Sequence, residues 1–158
     1  MISVVQRVSR AEVRVDGECV GRIGPGLVAL VAAIEGDEAA DVEYMADRLL
    51  HLRVFPDDAG RMNLPVSTTG GGILLVSNFT VGGDTRRGRR PSFSHAAAPQ
   101  HAEELLDDLA RRLREDLDTV ETGVFAAMME VDLVNDGPVT LIVDSRQPRR
   151  GGRHETRS

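Results

Sequence analysis

Apolar positions along this chain follow two periods, and the elements change where the period changes. Ile2, Val4, Val5 and Val8 open with strand character, and Ala11 to Val15 alternates apolar and polar residues. A period of two sends one set of side chains to a core face and the other to water. Asp16-Gly17 joins that segment to Glu18–Ile23, and such a dipeptide favours a two-residue hairpin. Gly24-Pro25-Gly26 breaks the chain, and Leu27 to Ile34 is then apolar throughout, as expected of a central strand buried on both faces. The period next lengthens. Val42, Met45, Ala46, Leu49 and Leu50 share one face of a helix predicted from Glu38 to about Leu52, with Asp37 as its cap.

Arg53-Val54-Phe55 is a short strand ended by Pro56 and the turn Asp57-Asp58-Ala59-Gly60. Pro65 confines Met62-Asn63-Leu64 to an edge or a loop. Ile73 to Val76 forms a second buried strand that runs into Ser77-Asn78-Phe79-Thr80, and residues Gly82 to Pro91 form a loop. Pro99 starts a second helix, reaching about Asp118, whose apolar face carries Ala102, Leu105, Leu106, Leu109, Leu113 and Leu117. Strand character returns from Gly123 through Phe125, Met128, Val131 and Leu133, and Val139 to Val143 is the last strand. Between them, Asn135-Asp136-Gly137-Pro138 reads either as a hairpin turn or as a rigid, exposed display of carbonyls. Strands outnumber the two helices and separate them, which gives an α+β class: a curved, mainly antiparallel sheet with helices against it.

At 158 residues the chain is read as one domain, 1–144, followed by an Arg-rich tail, 145–158, too poor in apolar residues to order itself. The formal net charge of -6 argues against a nucleic-acid partner, but every one of the nineteen cationic residues is arginine, so local distribution decides. Arg86, Arg87, Arg89 and Arg90 crowd into the Gly82–Pro91 loop and suit nucleic-acid phosphates. Cys19, the one cysteine, is read as a small core residue; alone it excludes an intrachain disulfide and suits a reducing compartment. The four histidines lack ligand spacing and no Gly-x-x-x-x-Gly-Lys loop occurs, so neither a metal site nor nucleotide triphosphate chemistry is expected. No long apolar run follows a charged start, and Leu27–Ile34 is too short to cross a bilayer. The expectation is a cytoplasmic protein.

Five separated motifs raise the resolution of this reading. They are Gln6-Arg7-Val8, Met62-Asn63-Leu64, Ser77-Asn78-Phe79-Thr80, Arg90-Pro91-Ser92-Phe93-Ser94 and Asn135-Asp136-Gly137-Pro138-Val139-Thr140. In type and order they resemble the D-aminoacyl-tRNA deacylases, whose signatures read Ser-Gln-x-Thr and Asn-x-Gly-Pro-Val-Thr. The resemblance implies a barrel-like fold and a homodimer in which a cis Gly137-Pro138 loop reaches the partner's pocket. It implies hydrolysis of D-aminoacyl-tRNA at its 3′ end, without cofactor, metal, membrane or DNA. Ser77, Asn78, Phe79 and Thr80 would form the catalytic stretch. Asn135, Gly137, Pro138, Val139, Thr140, Gln6, Arg7 and Phe93 would bind substrate, and Arg86, Arg87, Arg89 and Arg90 the RNA.

The chemistry fits those residue types. Threonine needs a base to become a nucleophile, and no histidine is paired with Thr80 in the sequence. An aminoacyl ester is already reactive, and the ribose 2′-hydroxyl can assist water. The protein then supplies placement and N–H donors to the oxyanion, for which Phe79 and Thr80 are the candidates. Rigid Gly-Pro carbonyls can accept the substrate ammonium while crowding the direction of an L side chain. Glycine has no Cβ to exclude, so glycyl-tRNA is expected as a second substrate. One departure stands out: Asn78 replaces the family glutamine and is one methylene shorter. The expectation is retuned or reduced activity, and the alternative is a non-hydrolytic tRNA-binding paralogue.

Overall fold

The computed structural model describes residues 1–147; the rest of the expected Arg-rich tail lies outside the described residues. Its organising strand is β1 (Ile2–Val15). The second half of β1 pairs with β2 (Glu18–Ile23) through the Asp16-Gly17 turn, and the first half with β3 (Gly26–Ala32). Along its other edge runs β8 (Glu130–Asp144), and all three pairings are antiparallel. β3 continues the sheet to β6 (Gly72–Ser77), and β6 to β7 (Val120–Thr122), both parallel. The sheet is therefore mixed, though antiparallel pairings lead. β2 also approaches β7, where a Cβ on Gly21 would meet the Thr122 carbonyl at 2.8 Å, so the sheet curls into a nearly closed barrel.

Parallel neighbours need crossovers, and these carry the helices. Between β3 and β6 the chain forms α1 (Ala39–His51), the antiparallel ribbon β4 (Arg53–Pro56) and β5 (Met62–Pro65), and a short α2 (Val66–Thr69). Between β6 and β7 it forms a 3-10 turn at Phe79–Gly82 and α3 (Pro99–Asp116). Leu27, Ala29 and Val31 of β3 and Ile73 and Leu75 of β6 pack under Val42, Met45, Leu49, Leu109 and Leu113 of α1 and α3. The alternate residues Val28, Leu74 and Val76 meet Val8, Val13 and Ile23 inside the barrel. That division explains the unbroken apolar runs, because β3 and β6 have no solvent face.

Several expectations are corrected. Asp37 does not cap α1: the Asp41 carboxylate accepts the Glu38 N–H at 2.9 Å and Glu38 is the cap. Asp37 is buried, taking the Met1 ammonium at 2.6 Å and the Ile34 N–H at 2.7 Å. Cys19 is exposed, because the first half of β2 faces solvent. Phe125 and Met128 belong to a connection between β7 and β8, and Val66–Thr69 is helical. Among the described residues no helix is long and apolar enough to cross a membrane.

Candidate active site

The Asn135–Thr140 segment does not reverse the chain. β8 runs on through it beside β1, with Asn135 opposite Val8 and Thr140 opposite Gln6. Four residues, Asp136 to Val139, thus face the single residue Arg7, and the surplus bulges out of the sheet. The expected hairpin turn is a bulge, since both flanking segments already share one partner strand. Its neck is closed by Asn135 Nδ2, which donates to the carbonyls of Arg7 at 3.2 Å and Val139 at 2.9 Å. Arg7 Nε donates to the Asp136 carbonyl and lies 3.2 Å from its carboxylate, while Nη1 donates to the Val54 carbonyl at 2.6 Å. Gln6 Nε2 donates to Thr140 Oγ1 at 3.3 Å. Gly137-Pro138 is a cis peptide, and Gly137 sits at φ +131°, a backbone region that L side chains rarely adopt. The bulge is exposed at Asp136, Gly137 and Pro138, yet tied to β1 and β4 from beneath.

The other motif lies where β6 ends. Asn78 N–H still bonds the Val31 carbonyl at 2.8 Å, and the chain then tightens into the 3-10 turn. A turn of this type leaves its first N–H groups, here those of Phe79 and Thr80, without partners inside it. Both residues are exposed, and Thr80 Oγ1 donates to Asn78 Oδ1 at 2.5 Å. Phe79 meets Phe93 edge-on, with centroids 5.2 Å apart and planes at 79°. Phe93 also covers Gly83, where a Cβ would lie 2.7 Å from its Cε1. Phe93, expected as a substrate contact, is thereby placed beside the Ser77–Thr80 stretch.

The basic loop follows directly. Asp84 and Ser92 exchange two backbone bonds at its base, of 2.8 and 2.9 Å, and Arg86, Arg87, Arg89 and Arg90 are all exposed above them. A cavity of about 450 Å³ lies between the end of the 3-10 turn and this loop, lined by Ile34, Gly83, Asp84, Arg86 and His95. Asp84 and the Val54 carbonyl had no signal in the sequence, because their roles depend on partners that folding brings near. Among the described residues, no hydrogen bond or ion pair joins the Gly-Pro bulge to the Ser77–Thr80 turn. Nor does any group of three or more His, Cys, Asp and Glu residues there form a metal site.

Comparison with known proteins decides the family. The family described as D-Tyr-tRNA(Tyr) deacylase matches residues 4–144, which contain every motif described above. This chain belongs to that family. The D-aminoacyl-tRNA deacylase of Paracidovorax citrulli is 55% identical over 141 residues, 89% of this chain and 91% of that protein. The D-aminoacyl-tRNA deacylase of Anaeromyxobacter dehalogenans is 54% identical over 93% of this chain and 99% of its own. Among solved structures, one described as the c-Myc DNA Unwinding Element Binding Protein aligns with a TM-score of 0.87 at 35% identity, covering 91% of this chain and 98% of its own. Another, described as a probable eukaryotic D-amino acid tRNA deacylase, has a TM-score of 0.77 at 17% identity, covers 90% and 97%, and shares the fold. For a chain of the deacylase family, the two interruptions of regular structure are therefore the first places to look for chemistry.

Proposed function

We propose that this chain hydrolyses the ester of D-aminoacyl-tRNA, releasing D-amino acid and tRNA in the cytoplasm. The observation that carries the reading is the Gly-Pro bulge, exposed at its tip and held from below by Arg7 and Asn135. A rigid set of carbonyls at that tip accepts the substrate ammonium and crowds the path of an L side chain. A D side chain points away, and glycine offers nothing to exclude, so glycyl-tRNA is a second substrate.

At the reacting carbonyl, water adds to carbon, the oxyanion is met by the Phe79 and Thr80 N–H groups, and the C–O3′ bond breaks as O3′ gains a proton. The ribose 2′-hydroxyl assists that water. Thr80 donates its hydroxyl proton to Asn78, an acceptor too weak to remove it, which favours this route over a threonine nucleophile. No step calls for a cofactor. The bulge of one copy is bonded to its own β1 and β4, so a second copy is the reading for what it serves: a homodimer with each bulge in the partner's pocket. Exposed apolar residues on and beside β8, namely Met128, Val131, Leu141 and Ile142, support that association.

The test is release of amino acid from D-Tyr-tRNA and L-Tyr-tRNA with a chelator present. Loss of the D ester alone supports the proposal. If neither ester is cleaved while tRNA still binds, the chain is the non-hydrolytic RNA-binding paralogue instead. Thr80→Ala should retain most activity, whereas near-total loss would assign the side chain a direct role.

A further inference from the structure

The four arginines of the basic loop are not equivalent. Arg86 turns back on the loop's own base: Nε donates to Asp84 Oδ1 at 2.9 Å, Nη2 to Oδ2 at 2.7 Å, and its backbone N–H to Oδ1 at 2.9 Å. Three donors of one residue therefore converge on one carboxylate, which holds the guanidinium in a two-pronged geometry. The same Asp84 exchanges both backbone bonds with Ser92, so it closes residues 85–91 into a loop and fastens its first arginine. Arg87, Arg89 and Arg90 are exposed and have no hydrogen-bond or ion-pair partner among the described residues. They lie on either side of Gly88, whose φ of +70° turns the chain at the tip.

We infer that Asp84 is a positioning residue for the tRNA backbone: it fixes Arg86 as an internal strut, and Arg87, Arg89 and Arg90 alone carry the phosphate contacts. The inference rests on reading this loop as a tRNA contact. Arg86 is 83% exposed, so the pair contributes little to global stability. What it supplies is preorganisation. Four like charges on a seven-residue loop repel one another, and an anchored carboxylate cancels one of them while limiting the loop's conformations before RNA arrives. In keeping with this, the Arg86 side chain, followed by its backbone N–H, holds the Asp84 carboxyl far below the usual carboxylate range.

The sign of one substitution separates this account from simple charge attraction. Asp84→Asn removes a negative charge beside the RNA site, and long-range electrostatics alone would tighten binding. The strut account expects the opposite: KM for D-aminoacyl-tRNA rises about three- to tenfold as the loop must be ordered on binding, with kcat and Tm nearly unchanged. Uncharged tRNA is then titrated against potassium chloride. Arg87→Ala, Arg89→Ala and Arg90→Ala should each lower the slope of log affinity against log salt by about 0.7–0.9, one phosphate contact apiece. The pair Asp84→Asn with Arg86→Gln should leave the slope in place. A slope lost equally with that pair, or tighter binding by Asp84→Asn, overturns the strut. If none of the three free arginines changes the slope, the loop is not an RNA contact, and the reading beneath the inference falls with it.

Discussion

Alanine at position 137 would place a methyl group 2.8 Å from Val139 Cγ2, 2.9 Å from the Val139 backbone nitrogen and 3.2 Å from Arg7 Nη2. The first contact can ease by rotation of a side chain; the second cannot, because it is main chain two residues away. The φ of +131° adds a backbone cost of about 1–3 kcal/mol for an L residue. Crowding adds about 1–3 kcal/mol, so the bulge as built is disfavoured by roughly 2–6 kcal/mol. The tip of the bulge, Asp136 to Pro138, is exposed and only Val139 packs against an apolar cluster, so the tip should relax by lifting away from Arg7 while the fold stays intact. Each 1.4 kcal/mol of lost discrimination is a tenfold change, so the ratio of D-Tyr-tRNA to L-Tyr-tRNA hydrolysis should fall at least tenfold. Single-turnover rates on both esters measure it, with the melting temperature as control; a drop of only a few degrees is expected. Arg7→Gln, which loosens the same bulge without a new methyl group, should move the ratio in the same direction. An unchanged ratio in both folded variants would refute the assignment of discrimination to this bulge.

Three further outcomes concern the scaffold. A methyl group on Gly26 would run into the main-chain carbonyl of Gly72 on the paired strand, so Gly26→Ala should destabilise by about 3 kcal/mol in urea titration. Ser3 Oγ is buried without a partner among the described residues, and Ser3→Ala should therefore stabilise by about 1–2 kcal/mol, read as a higher urea midpoint. Burial pushes the Asp41 carboxyl up, but bonds from the Ser145 hydroxyl and the Glu38 N–H outweigh it and hold the group below its ordinary value. A depressed folded value means its contribution is complete above about pH 4 and fades as pH falls through that value. Asp41→Asn should accordingly lower the melting temperature at neutral pH and flatten its decline in acid.

What could be read from the sequence was whatever a local period or a local dipeptide controls. The face Val42, Met45, Ala46, Leu49 and Leu50 is buried as its spacing requires, and Asp16-Gly17 makes the hairpin that it favours. Contacts across long separations were not legible. Asp37 has the chemistry of a cap, but the Met1 ammonium, just before β1, claims its carboxylate. The Gly-Pro stretch has the composition of a turn, and only its alignment with Val8 and Gln6 reveals a bulge in a strand that runs on past it. Arg7 stood out through its motif, while its acceptors, Val54 and Asp136, depend on distant strands meeting. Cys19 misled because residue type alone carries no information about which half of a strand faces water.

The position of β1 has a consequence for how the molecule is made. Of the strands described, β1 leaves the ribosome well before the one that covers its long outer edge, β8, which begins at Glu130. Until then the nascent chain exposes a row of unsatisfied amides and carbonyls along one edge of its longest early strand. The remaining partners, β2 and β3, are complete within the first few dozen residues and can hold β1 in register while it waits. Closure of the barrel is therefore a late, long-range event that local hairpins prepare but cannot finish. Until β8 arrives, that open edge is the part of the nascent chain most able to pair with another chain.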